Sequence, residues 1–276
     1  MASILAIDLG KYNSVACDYC PETGDHVFEK LPTRPKALHD LIVSRSPERV
    51  VVETGNVAGW VKDLCETLDV PIEIANPNHE GWRWKNVKRK TDRDDALKLA
   101  KLSAVGQLPT IRLPDARTRQ WRALIAYRGK LVRRRTAIKN SIRSLLDRQG
   151  LWVSVGRSAW TAAGVQMLGE LARPVDAGWT DDLWRGQLSL ELSALEQTMK
   201  MIQQVDQKLD AMGQADSRVQ RLQTIPGVGP RPAEIVVATI DDRRHADRAP
   251  PGPARQRARQ WAGPVAICGR AYAAVV

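Results

Sequence analysis

The sequence predicts an α/β fold over roughly its first third and helices over most of the remainder. Short apolar runs bounded by turn residues fill the first 75 positions, and this pattern is typical of buried strands. From about residue 116 onward, apolar residues recur at three- and four-residue steps, which is typical of helices. The formal charge of +11 favours a polyanionic partner, and nucleic acid is the first candidate.

Five strands and two helices are predicted in the first region. The three leading strands are joined by short turns, which indicates an antiparallel meander, and the later strands alternate with helices. The predicted strands cover 3–9, 14–20, 26–31, 49–53 and 71–75, and the helices cover 35–44 and 57–68. This β-β-β-α-β-α-β order is that of a ribonuclease-H-like mixed sheet, in which the first and fourth strands lie side by side.

Four carboxylates occupy positions that this topology brings together. Asp8 ends the first strand and Glu53 ends the fourth, while Asp92 and Asp95 lie three residues apart in the first turn of a predicted helix and share one face. Oxygen-only ligands select Mg²⁺ or Mn²⁺. Two such ions can activate a nucleophile and stabilise the leaving oxygen in phosphodiester chemistry. The sequence therefore predicts a metal site with these four ligands.

Each of these acids also has a purely structural interpretation. Thr91 can serve as the N-cap of the helix, and Asp94 falls at the capping-box position. Acids in the first turn are favoured by the helix dipole in any case. Asp8 and Glu53 are common kinds of strand-end residue. The two interpretations differ in whether the four carboxylates converge in space.

Basic residues with interleaved aromatic residues precede this helix and recur beyond it. A run of charge is usually a solvated face, but tryptophans among the cations favour phosphate contact combined with base stacking. The predicted nucleic-acid contacts in the first region are Lys11, Trp82, Arg83, Trp84, Lys85, Lys88, Arg89 and Lys90. Those in the helical region are Arg133, Arg134, Arg135, Lys139 and Arg143.

Two long helical stretches, 116–148 and 183–212, carry apolar stripes that can pair as an antiparallel coiled coil. One interpretation is a hairpin that packs on itself. The other is dimerisation along the seam, with nucleic acid on the arginines. The intervening stretch 151–180 is rich in Gly and Trp, and its pattern predicts no definite element.

A Gly-apolar-Gly turn, Gly227-Val228-Gly229, lies between two further predicted helices. It matches the helix-hairpin-helix pattern, in which such a turn presents backbone N–H groups at a helix N-terminus to a phosphate. Gly227 and Gly229 are therefore added to the predicted nucleic-acid contacts. The alternative is an ordinary turn between helices.

The composition changes after residue 242. Residues 243–276 contain seven arginines and no Ser or Thr, which predicts a disordered basic tail or sequence that does not continue the fold. The predicted organisation is thus a catalytic α/β domain, a helical coiled-coil region, a partial domain with the helix-hairpin-helix, and this tail. The corresponding ranges are 1–112, 113–214, 215–242 and 243–276.

Several classes of protein are excluded by what the sequence lacks. It has no run of about 18 apolar residues, so no membrane span is expected. The apolar start is interrupted by Asp8, which argues against a signal peptide. Cys17 and Cys20 form a CxxC without a second pair, so a structural zinc is not expected. These features predict a cytoplasmic protein.

Three blocks of the sequence resemble those of DEDD insertion-sequence transposases, a group that includes the pilin-gene DNA invertases. The blocks are Ala6 to Lys11, Val52 to Gly55 and Lys90 to Ala96. The turn at 225–230 resembles the start of the family's C-terminal transposase domain, so the resemblance spans about 3–242. It implies a RuvC-like first domain and a metal-binding tetrad of Asp8, Glu53, Asp92 and Asp95, with Asp94 outside it.

The resemblance also implies DNA cleavage and rejoining by a homo-oligomer, a dimer or a tetramer, with an RNA from the same element guiding target choice. In that family a serine downstream of the hairpin attacks DNA, whereas the last serine of this chain, Ser217, lies upstream. We therefore expect a truncated or frameshifted C-terminus and a copy that keeps the metal site and nucleic-acid binding but lacks the nucleophile.

Three alternatives stay open. Residues 8–14 resemble the first phosphate loop of actin-like and heat-shock-protein ATPases, but the sequence has no second such loop and no Gly-rich adenosine loop. A RuvC-like nuclease that cleaves DNA junctions without transposition is a second alternative. A nucleic-acid-binding remnant without catalysis is the third.

Overall fold

The computed structural model describes residues 3–76, 91–152, 158–177 and 180–240. The chain forms two compact units, one ending at Ala116 and the other beginning at Arg117. In the part of the chain that is described, no helix is both long and apolar enough to cross a membrane.

The first unit is a five-stranded mixed sheet with helices on both faces. Its elements are β1 (Ile4–Asp8), β2 (Asn13–Tyr19), β3 (His26–Pro32), α1 (Pro35–Arg45), β4 (Arg49–Glu53), α2 (Ala58–Thr67), β5 (Ile72–Ala75) and α3 (Asp92–Ala104). The strand order is β3-β2-β1-β4-β5. The pairs β1·β2 and β2·β3 are antiparallel, and the pairs β1·β4 and β4·β5 are parallel. The predicted ribonuclease-H-like sheet is confirmed.

The two faces of the sheet have separate cores. Leu5 and Ile7 of β1 point to the layer formed by α1 and α2. Ile4 and Ala6 point to the opposite layer, where α3 lies. Strand β4 consists of three valines between Arg49 and Glu53, and all three are buried, because a central parallel strand is covered on both faces.

The second unit is helical. Its elements are α4 (Ala116–Asp147), α5 (Ala162–Leu171), α6 (Leu183–Gln214), α7 (Ser217–Gln223) and α8 (Pro230–Thr239), with single 3₁₀ turns at Ser158–Trp160, Val175–Ala177 and Thr180–Asp182. Helices α4 and α6 pair antiparallel. Arg128 binds Asp206 near one end of the pair, and Ser141 donates to Glu191 at 2.7 Å nearer the other end.

The apolar seam of the two long helices is buried within the chain. Leu131 of α4 shares one buried core cluster with Ile202 and Leu209 of α6, and farther along α4 Ile142 shares a second cluster with Leu188. The pairing predicted from the apolar stripes is therefore present. It takes the form of the self-packing hairpin, which leaves these seam positions already covered without a second chain.

Helix α5 lies in the stretch for which the sequence pattern predicted no element. Thr161 caps it by accepting from the Gly164 backbone N–H at 3.2 Å. A Cβ at Gly164 would lie 2.6 Å from the Ala159 carbonyl oxygen. The glycine that weakens the helical pattern is thus required by the close approach of the preceding turn.

Candidate metal centre and nucleic-acid contacts

Asp8 and Glu53 stand at the ends of neighbouring parallel strands and on the same face of the sheet. The parallel register pairs Ile7 with Val52, so the two acids follow at the same level. Their other cross-strand partners, Val15 for Asp8 and Ala75 for Glu53, belong to the core layer beneath α3. Because paired residues project to the same face, both acids project toward the α3 layer.

Helix α3 runs opposite to β4, which brings its first turn toward the same end of the sheet. Arg49, at the start of β4, donates from Nε to Ser103 Oγ at 2.9 Å and from Nη2 to the Ser103 carbonyl at 3.2 Å, near the C-terminal end of α3. The rise from Ser103 back to Asp95 is about 12 Å along a helix. The rise from Arg49 to Glu53 is about 13 Å along a strand. The first turn of α3 therefore lies toward the end of the sheet at which β4 ends.

The three acids of this first turn have different surroundings. Asp95 is buried, with 8% of its surface exposed, whereas Asp92 and Asp94 are exposed. Asp94 Oδ2 accepts from the Thr91 backbone N–H at 3.2 Å and from its hydroxyl at 2.6 Å, and the Asp94 N–H donates to Thr91 Oγ1 at 3.2 Å. The capping-box interpretation is confirmed for Asp94, and this acid acts in helix capping.

The structure places Asp8 and Glu53 at one end and one face of the sheet, and Asp92 and Asp95 in the first turn of the helix over that face, but does not gather the carboxylates into a coordination shell. Across the described ranges, no group of three or more His, Cys, Asp or Glu side chains is arranged to hold a metal ion. The chemistry of the donor set, four carboxylates without sulfur or nitrogen, fits a hard divalent cation. The metal tetrad stays a prediction.

Most of the basic segment that precedes α3 lies outside the described residues. This applies to the predicted contacts Trp82, Arg83, Trp84, Lys85, Lys88, Arg89 and Lys90. Lys11 is described, and it is exposed in the turn after β1, with its Nζ 5.1 Å from the ring centroid of Tyr12. Tyr12 is itself exposed. This cation–aromatic pair follows Asp8 closely, and Tyr12 was not among the predicted contacts.

A stripe of cations on α4 lies beside an aromatic ring. Arg135, Lys139 and Arg143 follow at four-residue steps and so share one face of the helix. Lys139 Nζ and Arg143 Cζ lie 4.8 Å and 5.3 Å from the ring of Trp160. Burial, together with the charges of Arg135 and Arg143, lowers the pKa of Lys139. Concentrated positive charge next to an aromatic ring suits phosphate and base contacts.

The cations of this stripe were predicted as contacts from the sequence, but Trp160 was not. The ring belongs to the Gly- and Trp-rich stretch between the long helices, and its spacing gives no sign of which helix it contacts. Arg133 and Arg134, also predicted as contacts, are exposed on α4.

The Gly-apolar-Gly turn joins α7 to α8. Gly227 has a φ of +85°, a conformation that favours glycine. Gly229 is the N-cap of α8 and makes no side-chain capping bond. Neither of their backbone N–H groups has an acceptor within the described ranges. Two such donors next to a helix N-terminus are what a phosphate oxygen requires, and the predicted role of these glycines stays a prediction.

Helix α8 is held at both ends by arginines. Arg231, in its first turn, donates to Glu234 Oε2 at 2.7 Å, to the Asp206 carbonyl at 3.0 Å and to Asp210 Oδ1. At the other end, Arg122 of α4 donates to the carbonyls of Ala238 and Thr239. These cations stabilise the second unit, so its basic charge is not all available to nucleic acid.

Glu234 is the most deeply buried acid of this cluster, with 1% of its surface exposed. Burial raises the pKa of Glu234, and the neighbouring Arg231 partly opposes that rise, while Asp210 and Asp206 add to it. A carboxyl with a higher pKa in the folded state holds its proton more tightly there. Its contribution to stability is full below the unfolded pKa and is lost as the pH rises through the folded pKa.

We therefore predict that Glu234→Gln, which cannot ionise, becomes more stable relative to the wild type as the pH rises from about 4.5, the ordinary glutamate value. Urea unfolding of both proteins at pH 4.5 and at about pH 7 measures this difference in free energy. Parallel changes in the two proteins would contradict the assignment of a raised pKa to this residue.

Comparison with known proteins identifies relatives along most of the chain. The profile of a family described as a transposase, the DEDD family of the IS110 type, matches residues 5–150. The transposase for insertion sequence element IS1111A of Coxiella burnetii is 26% identical over 240 residues, which are 87% of this chain and 63% of that protein. A probable family 20 transposase of Pseudomonas aeruginosa is 26% identical over 226 residues, which are 80% of this chain and 63% of that protein.

The chain thus spans 63% of the length of both of these relatives. Among solved structures, RuvC of Thermus thermophilus in complex with a Holliday junction substrate is 15% identical, with a TM-score of 0.30, over 40% of this chain and 100% of that one. A second structure of the same protein gives a TM-score of 0.28.

Proposed function

Because the chain belongs to the DEDD transposase family of the IS110 type, we propose that it is a recombinase of a mobile element, built to cleave and rejoin DNA strands with a divalent cation. The observation that supports this proposal is the placement of Asp8 and Glu53 at one end and one face of the sheet, on the face covered by the helix α3 that carries Asp95. The family supports the reaction class, and this placement supports the proposed position of the site. The expectation that this chain lacks the serine nucleophile stays a prediction, and a covalent protein–DNA adduct in a strand-exchange assay would overturn it.

In this proposal Asp8, Glu53, Asp92 and Asp95 hold Mg²⁺ or Mn²⁺. When bound, the cations activate the attacking oxygen and neutralise charge on the phosphate. The four acids fix the position of the cations, and burial of Asp95 limits access of water to that ligand. Asp94 takes no part beyond holding the helix start that carries Asp92 and Asp95.

DNA is the proposed substrate, and a guide RNA from the same element is the proposed second ligand. The stripe of Arg135, Lys139 and Arg143 supplies phosphate contacts that carry no sequence information. The turn at Gly227 and Gly229 supplies backbone N–H donors that also contact phosphates without reading the base sequence. A homo-oligomer, a dimer or a tetramer, is proposed from the family resemblance, and it requires a surface other than the buried seam of α4 and α6.

Metal binding tests the central part of this proposal without any need for turnover. A ligand that binds only the folded state raises the midpoint of thermal unfolding with concentration. We expect Mn²⁺ at about 0.1 to 10 mM to raise the midpoint of the first unit's transition in the wild type, well beyond any effect of the same range of Na⁺. Cleavage of DNA carrying the element's ends, measured with and without Mn²⁺, then tests the reaction. A midpoint that does not respond to Mn²⁺ or Mg²⁺ would remove the metal site from the proposal.

A further inference from the structure

A polar cluster lies at the end of the sheet opposite to the predicted metal ligands. Arg49 of β4, Glu73 of β5 and Ser103 of α3 meet there. Besides the two bonds from Arg49 to Ser103 described above, Ser103 Oγ donates to Glu73 Oε2 at 2.6 Å. Arg49 Nε also lies 3.5 Å from Glu73 Oε1. Ser103 is buried, with 4% of its surface exposed.

Other described contacts between α3 and the sheet include an apolar layer, partly made by small side chains, and Arg93 Cζ, which lies 5.7 Å from the ring of Phe28 on β3. Ala96, Leu99 and Ala100 face the sheet, where they meet Ala6 and Val51. Apolar contacts are non-directional, so they hold the axial position of a helix less tightly than hydrogen bonds do. The bonds to Ser103 are directional, and their donor–acceptor distances of 2.6 to 3.2 Å leave little room for sliding.

The axial position of α3 matters because this helix carries two of the predicted ligands. A slip of one residue moves Asp95 by about 1.5 Å and turns it by about 100°. Metal–oxygen distances in protein sites vary by only about 0.2 Å. A small displacement of α3 would therefore separate Asp95 from Asp8 and Glu53.

We infer that Arg49, Ser103 and Glu73 are positioning residues that set the register of α3, and with it the spacing of the metal ligands at the opposite end of the sheet. They touch neither substrate nor metal. The inference rests on the proposed metal site. It adds the contacts that keep the ligands on α3 aligned with those on the strands. Glu48 also binds Arg49, at 2.9 Å. It directly precedes β4 and makes no described bond to α3.

The test compares Arg49→Met with a matched control, Arg45→Met. Arg45 is on α1, in the other helix layer, and binds Glu29 at 3.0 Å and Asp18 at 3.8 Å. Its side chain is 35% exposed, against 20% for Arg49. Both substitutions remove an arginine that links two elements of the first unit, but only one of them releases α3.

The readouts are the unfolding midpoint without metal and the dissociation constant for Mn²⁺ from titration followed by electron paramagnetic resonance. We expect Arg49→Met to raise the dissociation constant about tenfold, a change similar to the smaller effects of removing groups that orient metal ligands. Arg45→Met is expected to change it by less than about twofold. Ser103→Ala is a smaller change and is also expected to raise the dissociation constant for Mn²⁺. It replaces Arg49→Met in the test if that variant does not fold.

The outcomes separate the inference from the proposal beneath it. If Arg49→Met and Ser103→Ala bind Mn²⁺ as the control does, the three residues act only in stability, and the inference is overturned while the metal site stands. If the wild type itself takes up no Mn²⁺, the proposed metal site fails and the inference fails with it.

Discussion

Replacing Asp8 or Asp95 by asparagine is expected to reduce metal-dependent strand cleavage by about 10³-fold while the fold is retained. A bound cation stabilises the transition state of phosphodiester cleavage by several kcal/mol, and each 1.4 kcal/mol, roughly, corresponds to a factor of ten in rate. Asparagine matches aspartate in volume, so the buried position of Asp95 tolerates the change. It removes the negative charge and one strong oxygen ligand, which weakens cation binding.

The measurements are strand cleavage in Mg²⁺ and the Mn²⁺-induced shift of the unfolding midpoint, because the second does not depend on turnover. Asp94→Asn is the matched control. It lies in the same helical turn, and its carboxylate already serves the capping box with Thr91. We expect Asp94→Asn to lose at most about 1 kcal/mol of stability and to keep its response to Mn²⁺. A response to Mn²⁺ that survives Asp8→Asn and Asp95→Asn would show that the cation binds elsewhere.

Arg231→Met is expected to lower the stability of the second unit by about 3–5 kcal/mol, the range for removing one partner of a buried ion pair. The loss is large because Glu234 would stay buried with its partner gone, next to Asp206 and Asp210. The Glu234 Oε1 atom already has no hydrogen-bond partner within the described part of the chain. Without Arg231, burial of this carboxylate would have little compensation.

Urea unfolding gives the overall loss, and hydrogen exchange of the α8 amides locates it. Arg218→Met is the control, since Arg218 binds the Asp216 carboxylate at 2.8 Å on a more exposed surface, where such pairs contribute about 0–1 kcal/mol. The double variant Arg231→Met with Glu234→Leu removes both partners and is expected to recover much of the stability. If the double variant is as unstable as Arg231→Met alone, the loss does not come from the unpaired carboxylate.

The elements that the sequence predicted best are those with a strong local pattern. The Val-Val-Val run ending at Glu53 predicted a buried strand at 49–53, and β4 has those bounds. The capping sequence from Thr91 to Asp94 marked the start of α3. Both signals come from residues adjacent in the chain, so no tertiary contact is needed to read them.

Helix α5 and the contacts of Trp160 were not predicted, because neither a close approach of the backbone nor a contact between helices shows in the residue pattern. Gly164 makes the sequence pattern of this helix less typical. A glycine is needed there because the Ala159 carbonyl leaves no room for a Cβ at residue 164. The ring of Trp160 lies beside Lys139 and Arg143, which belong to another helix. Nothing in the order of the residues indicates that these groups meet.

The order of the strands, the two long helices and the identity of the four acidic candidates were determined by the sequence alone, because hydrophobic periodicity and turn residues act over a few positions. Only the tertiary structure decided that Asp8 and Glu53 share the face covered by α3, that the seam of α4 is filled by α6 of the same chain, and that Arg49 reaches Ser103. Such pairings join residues far apart in the chain, and they depend on which surfaces are buried together when the elements pack.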